Sequence, residues 1–182
     1  MTNRILYDFK IEKKVSSELT DAYRGRLPEQ IIQIWEEYGF GSFMDGFLRT
    51  INPNDFQDIL QRAYFMGTKS IPVFVTGLGD MIVWEENTYL TILRFRHGTF
   101  SIMEKGCNYF LDDLIDDEYK EEFLKPQNYY IALQNQGPLE YDECFGYVPL
   151  LCLGGPEDAN WLKKVKLVEQ MELILAIGGP VG

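Results

Sequence analysis

An α+β fold is the class this 182-residue sequence predicts: N-terminal helices, a central antiparallel sheet built as a meander, and C-terminal helices. Three observations carry the prediction. Apolar residues recur at helical spacing in the first third of the chain and again in the last. Between them lie short β-branched runs separated by turn residues. Strands and helices do not alternate, as a parallel βαβ sheet would require.

The elements follow in chain order. Pro28 suits the first position of a helix, with its missing N–H and preset φ. Ile31, Ile32, Ile34, Trp35 and Tyr38 then share one face, Glu36 and Glu37 lie outside, and Gly39 ends the helix. Residues 41–51 read as extended, with Asp45-Gly46 as a tight turn. Asn52-Pro53-Asn54-Asp55 is a second start signal, followed by the stripe Phe56, Ile59, Leu60 and Ala63 and a stop at Gly67.

Residues 71–75, 81–84, 88–95 and 99–103 read as about four strands of a meander, with turns at Gly77-Leu78-Gly79-Asp80, Glu85-Glu86-Asn87 and His97-Gly98. Residues 108–124 look helical, broken or continuous, up to the limit set by Pro126. A short helix over 128–134 precedes the Gly137-Pro138 breaker. Residues 146–155 read as extended and apolar. The final helix covers about 167–177, with Leu167, Met171, Ile174 and Leu175 on one face and Gly178-Gly179-Pro180 as the stop. The organisation expected is a lobe over 1–106 and a helical lobe over 107–182, sharing the sheet in one compact unit.

Charge narrows the function. The chain has 28 acidic and 17 basic residues and a net charge of -11. Such an excess disfavours direct nucleic-acid binding, which needs cations to replace phosphate counterions. It equally disfavours docking on anionic lipid. It suits a partner with a basic surface. Cys107, Cys144 and Cys152 are odd in number and widely spaced, which fits neither a disulfide framework nor a zinc knuckle. Met1 to Asp8 contains no apolar leader core, and no apolar run approaches the roughly 20 residues of a membrane span. A reducing cytoplasm is the expected compartment.

Catalytic sets are scarce. The single histidine, His97, lies between Arg94, Arg96 and Gly98 and reads as a residue at a hairpin end near water. Two-histidine metal motifs are ruled out. Neither glycine cluster, at 39–41 or 77–79, has the spacing and strand-to-helix setting of a phosphate loop. Trp35, Trp84 and Trp161 read as packing residues. Lys163, Lys164 and Lys166 form a small basic cluster. No cofactor is implied, and no nucleophile, base or phosphate cradle stands out.

The strongest charge feature runs from Leu111 to Leu124. On a helix, Leu111, Leu114, Ile115 and Phe123 would face inward, while Asp112, Asp113, Asp116, Asp117, Glu118, Glu121 and Glu122 would cover the outside, interrupted only by Lys120. This is the candidate contact for a basic protein. A solvated helix face is the plain alternative, and a cation site from Asp112, Asp113 and Asp116 lacks the bend glycine and spaced final Glu of a calcium loop. A separate candidate is a small-ligand cleft beside the meander near Asp80 and Trp84, which would make the protein a regulatory module or a weak enzyme.

Several segments resemble a known arrangement. Tyr23-Arg24-Gly25-Arg26-Leu27-Pro28 leading into residues 34–47, then Ile51-Asn52-Pro53-Asn54-Asp55-Phe56 and Gly79-Asp80-Met81-Ile82-Val83-Trp84, resemble the GAD-like domain. Residues 133–139 and 144–155 resemble the C-terminal domain of type VI secretion DNase immunity proteins. Gly77-Leu78 stand where Ala-Phe tends to precede the Gly-Asp, and Glu169-Gln170 stand where the last helix often carries Glu-His. The resemblance covers about residues 5–178. It implies an immunity protein: a non-enzymatic, cytoplasmic binder of a cognate toxin, often a DNase, and such a nuclease must carry a basic DNA-facing surface.

Overall fold

A computed structural model describes residues 4–182; the first three residues of the opening segment lie outside it. The fold is α+β. Its order is β1 (Lys10–Lys13), α1 (Ser17–Tyr23), α2 (Glu29–Glu37), β2 (Phe40–Phe43), β3 (Leu48–Thr50), α3 (Pro53–Ala63), β4 (Ser70–Thr76), β5 (Met81–Glu85), β6 (Tyr89–Arg94), β7 (Thr99–Lys105), α4 (Phe110–Asp113), α5 (Asp117–Phe123), α6 (Gln127–Gln136), β8 (Glu143–Tyr147), β9 (Leu162–Lys166) and α7 (Leu167–Gly178).

The main sheet is larger than the expected four strands. Seven antiparallel strands lie in sequence order, β1 to β7, so every connection is to a neighbour. β2 and β3 come from the 41–51 segment, joined by a turn in which Met44, Asp45 and Gly46 all have positive φ. Helix α3 intervenes before β4, but β4 returns to pair with β3. Helix α1 and strands β1 and β9 were not anticipated. Ser16 caps α1 by accepting from the Leu19 N–H at 3.2 Å. β1 carries no core-facing side chain, because all four of its residues are exposed.

Both faces of the sheet are covered. Register pairs Met81 with Leu93, Ile82 with Ile92 and Trp84 with Leu90. Alternation therefore sends Ile82, Trp84, Leu90 and Ile92 to one face, and Met81, Val83 and Leu93 to the other. The first face packs with Ile31, Ile32 and Trp35 of α2, Phe110 of α4, Tyr129 of α6 and Phe145 of β8. The second packs with Phe56, Ile59 and Leu60 of α3 and Met171 and Ile174 of α7. Each core draws on both ends of the chain.

The acidic run, expected to be helical whether broken or continuous, is broken: α4 ends at Asp113, Leu114 and Ile115 turn, and Asp116 caps α5 by accepting from the Glu118 N–H at 2.8 Å. An Asp that bonds the backbone ahead of it favours starting a new helix over continuing the old one. Ile115, expected to face inward, is exposed; Leu111 and Phe123 are half-buried and Leu114 is buried. The 146–155 segment is extended only through Tyr147, within β8, and tightens into a turn at Leu151–Leu153. Pro149 has no N–H with which to extend the ladder.

Candidate functional site: an acidic face and the arginines beneath it

The acidic residues from Asp112 to Glu122 occupy α4, the break and α5. Asp112, Asp116, Asp117, Glu118, Glu121 and Glu122 are exposed, whereas Asp113 is half-buried. Phe110 and Leu114 anchor the segment in the core, with the Phe110 ring centroid 5.3 Å from that of Phe74. The Tyr119 and Phe123 rings meet at a tilt, centroids 4.9 Å apart, on the inner side of α5. Lys120 pairs with Asp117 at 2.7 Å, leaving the field strongly negative. Tyr109 and Ile115, both exposed, flank the carboxylates. They are the kind of apolar anchor that a charged rim surrounds in protein interfaces.

Beneath this face, Glu104 of β7 meets the segment. Its carboxylate accepts from the Tyr119 hydroxyl at 3.4 Å. Burial, then the charge of nearby Asp113, pushes the Glu104 carboxyl up to about 7. The same neighbourhood pushes the Cys107 thiol up to about 12, with burial as the main cause. Cys107 and Cys144 are buried and Cys152 is exposed; all three are free thiols.

The end of α5 is held by two buried arginines, Arg94 at the end of β6 and Arg96 in the 3-10 turn that follows. Arg94 donates to the carbonyl of Phe123 at 3.1 Å and to that of Glu122 at 3.3 Å; Arg96 donates to the carbonyl of Leu124 at 3.0 Å. The last carbonyls of a helix lack partners within it and carry partial negative charge, so cations there are favourable. Arg96 is held in turn by Asp80, its Nε 3.1 Å from Oδ2, with both side chains nearly inaccessible to solvent. Burial pushes the Asp80 carboxyl up, and Arg96, His97 and Arg94 oppose that. A third buried arginine, Arg49 of β3, donates to the carbonyls of Tyr141 and Glu143. Burial lowers its pKa.

The β4–β5 turn completes the contact. Gly77 accepts from the Phe145 N–H at 2.7 Å. The Tyr129 ring lies so close to Gly77 that a Cβ there would sit 2.3 Å from a ring carbon. Tyr129 itself donates to the Asp45 carbonyl at 2.7 Å. Residues from the sheet thus reach across to the main chain of the C-terminal segment at Arg49, Gly77, Arg94 and Arg96.

The other candidates separate. Asp80 is sealed in the core beside Arg96, whereas Trp84, four residues on, borders a polar cavity at the opposite end of β5. They share no cleft. His97 is half-buried, with Nε2 2.8 Å from Glu157 Oε1, and borders a cavity of about 330 Å³ that also touches Cys152. Among the described residues, no three His, Cys, Asp or Glu side chains group as cation ligands. Trp35 is core, and Trp161 is exposed.

The GAD-like domain model matches residues 5–95, half the chain, and the model described as T6SS immunity protein Tdi1, C-terminal, matches residues 104–178. The chain belongs to the GAD-like family. Its C-terminal part matches the C-terminal domain of the T6SS immunity protein Tdi1. No curated protein matches the sequence. The crystal structure of Atu4351 from Agrobacterium tumefaciens superposes with a TM-score of 0.76 at 15% identity, covering 96% of this chain and 88% of that one. That likeness shows the fold. Within the GAD-like/Tdi1 arrangement, Arg49 and Arg94 lie in the first matched segment, Arg96 lies just beyond it, and all three donate into the second.

Those arginines are what residue-by-residue reading missed. Arg94 and Arg96 stood in view only as neighbours of His97. The strand ends at Arg94 and the chain tightens into a 3-10 turn over Phe95–His97, so the period of two along a strand would not have placed Arg96 beside Arg94. No helix among the described residues is long and apolar enough to cross a membrane.

Proposed function

We propose that this chain is an immunity protein that captures a cognate type VI toxin, a basic nuclease, through the acidic face built on α4 and α5, and that it acts by binding, in the cytoplasm, without turning over a substrate. The family order GAD-like then Tdi1-type supports immunity. The observation that carries the choice of surface is the rigid mounting of an exposed, negative, short-helix pair on buried arginines.

The physical reasoning runs from charge to rate to affinity. A nuclease needs a cationic surface to bind DNA phosphates. The carboxylates from Asp112 to Glu122 present a field that steers such a surface into contact, which raises the association rate. Because α5 is anchored at its C-terminal carbonyls, little conformational entropy remains to be lost on docking. Tyr109 and Ile115 then supply the desolvated contact that slows dissociation.

The deciding experiment is co-expression with a candidate type VI nuclease toxin from the neighbouring reading frame, read as growth rescue and as co-purification. Rescue with a stable complex is the expected result. Survival that does not depend on this chain, together with no complex at low salt, would refute the proposal.

A further inference from the structure

The cavity bordered by Trp84 is chemically unlike the rest of this acidic molecule. It has a volume of about 560 Å³ and is walled by the α1–α2 connection, one side of α3, the segment from Thr68 to Ile71, and the β5–β6 turn. That volume is in the range of small-molecule sites, roughly 300–1,000 Å³. No carboxylate lines it, although the chain has 28 acidic residues against 17 basic ones. Two cations, Arg26 and Lys69, do.

We propose that this cavity binds a small sugar bearing an oxyanion, that is, a phosphorylated or carboxylated monosaccharide. Arg26 is the anchor for the charge. The nearby carboxylates Asp21, Glu29 and Glu36 are all engaged by Arg24. The Arg26 guanidinium instead lies 4.8 Å from the Tyr23 ring centroid. A guanidinium placed on a ring keeps its N–H edges for a planar or tetrahedral oxyanion. Lys69 is paired with Glu86 at 3.2 Å, but both are exposed, and such pairs yield readily to a competing anion.

The amides supply recognition of hydroxyls. Asn54 and Gln57 lie at i and i+3 on α3, with Gln61 at i+7, on the side away from the apolar stripe of Phe56, Ile59, Leu60 and Ala63. Asn54 uses its carbonyl to accept from the Tyr23 hydroxyl at 2.8 Å, and Asn87 uses its own to accept from Trp84 Nε1 at 3.1 Å. Both therefore offer N–H groups. Gln57 spends its N–H groups on the carbonyls of Gly67 and Ser70, which leaves its Oε1 to accept. Donors and acceptors so mixed match the hydroxyls of a sugar, each of which needs both. The Tyr23 face is covered by Arg26 and Trp84 is only 6% exposed, so no open ring is offered to a nucleobase.

The test is calorimetric titration of the full chain with glucose 6-phosphate, glucuronate, glucose and inorganic phosphate. At least one charged sugar should bind, with glucose and inorganic phosphate each weaker by about tenfold or more, the loss of one charge-assisted or several neutral hydrogen bonds. Preference between the two charged sugars identifies the oxyanion. Arg26→Gln should weaken the charged sugar by about tenfold, and Gln61→Ala, at an exposed position, by less. Thermal unfolding of each variant checks that the fold is kept. Absence of binding to both charged sugars at about 10 mM, a concentration that would detect even the weakest specific sites, would overturn the proposal. So would glucose binding as tightly as the charged sugars, or indifference of a folded Arg26→Gln protein.

Discussion

The molecule carries its carboxylates in two opposite settings. Asp80 is fully buried against Arg96 in the seam between sheet and C-terminal segment. The carboxylates of α5 stand in water, and Asp117 among them has a paired cation, Lys120. In the seam a charge is held by geometry, and removing its partner leaves an uncompensated ion in a low-dielectric interior. On the face the charges are screened and contribute little to folding. The difference teaches that negative charge near the seam maintains the structure, while negative charge on α5 is free to serve recognition.

Four changes break or sharpen that contrast, taken from the largest effect on stability to the smallest. Asp80→Ala should cost about 3–5 kcal/mol, since Arg96 is left buried and unpaired; urea unfolding at neutral pH measures it. A cost below about 1 kcal/mol, the scale of a surface pair, would erase the distinction between the two settings. Gly77→Ala should cost about 1–3 kcal/mol, because its Cβ would drive into the Tyr129 ring. Pairing it with Tyr129→Leu, which removes the ring edge, should return part of that loss in a double-mutant cycle.

Glu104 lies between the settings, and its effect depends on pH. Its folded carboxyl is raised from 4.5 to about 7, so the folded state binds more protons than the unfolded state in that interval. Stability from this group is full below about pH 4.5 and is lost as pH rises through about 7. Glu104→Gln should flatten that decline and raise the unfolding midpoint at pH 8. The gain should be about 1 kcal/mol once solvent screening of a half-exposed group is allowed for. Midpoints for both proteins between pH 4 and 8 test it; parallel curves would contradict it.

The smallest change in stability should come from Glu121→Lys and Glu122→Lys together, exposed in the last turn of α5 where cations suit the helix dipole, within about 0.5 kcal/mol. The same variant should capture the toxin about tenfold more slowly at low salt, with a flatter salt dependence. Asp116 is left out because its side chain caps α5, and losing that cap costs about 1 kcal/mol by itself. Unchanged capture kinetics would remove α5 from the interface and leave immunity standing on the family relationship alone.

Much of the architecture was legible because it rests on local rules. Pro28, the Asn52-Pro53 start and the Gly39 stop bound α2 and α3, and apolar spacing set the buried side of each. The β4–β7 meander followed from β-branched runs and turn residues. What escaped was what depends on distant partners. β1 exposes every side chain and exists because β2 offers it a ladder. β9 has three lysines in five residues and is held as a strand by β8. The acidic run could be read as a charged helical face, broken or continuous; the structure makes it two short helices with a turn at Leu114 and Ile115.

The sequence by itself determined the fold class, the family, the acid excess and the position of the acidic run. The family comes from the resemblance of its motifs; the others follow from composition and short-range pattern, which need no knowledge of what lies across the chain. Tertiary structure alone decided that Asp80 and Trp84 belong to different places, that Arg26 borders a cavity without carboxylates, and that Arg94 and Arg96 end α5. The physical reason is that burial and pairing are properties of residues brought together by folding. Arg94 lies nearly thirty residues from the carbonyls it meets, and nothing in the intervening sequence encodes that distance.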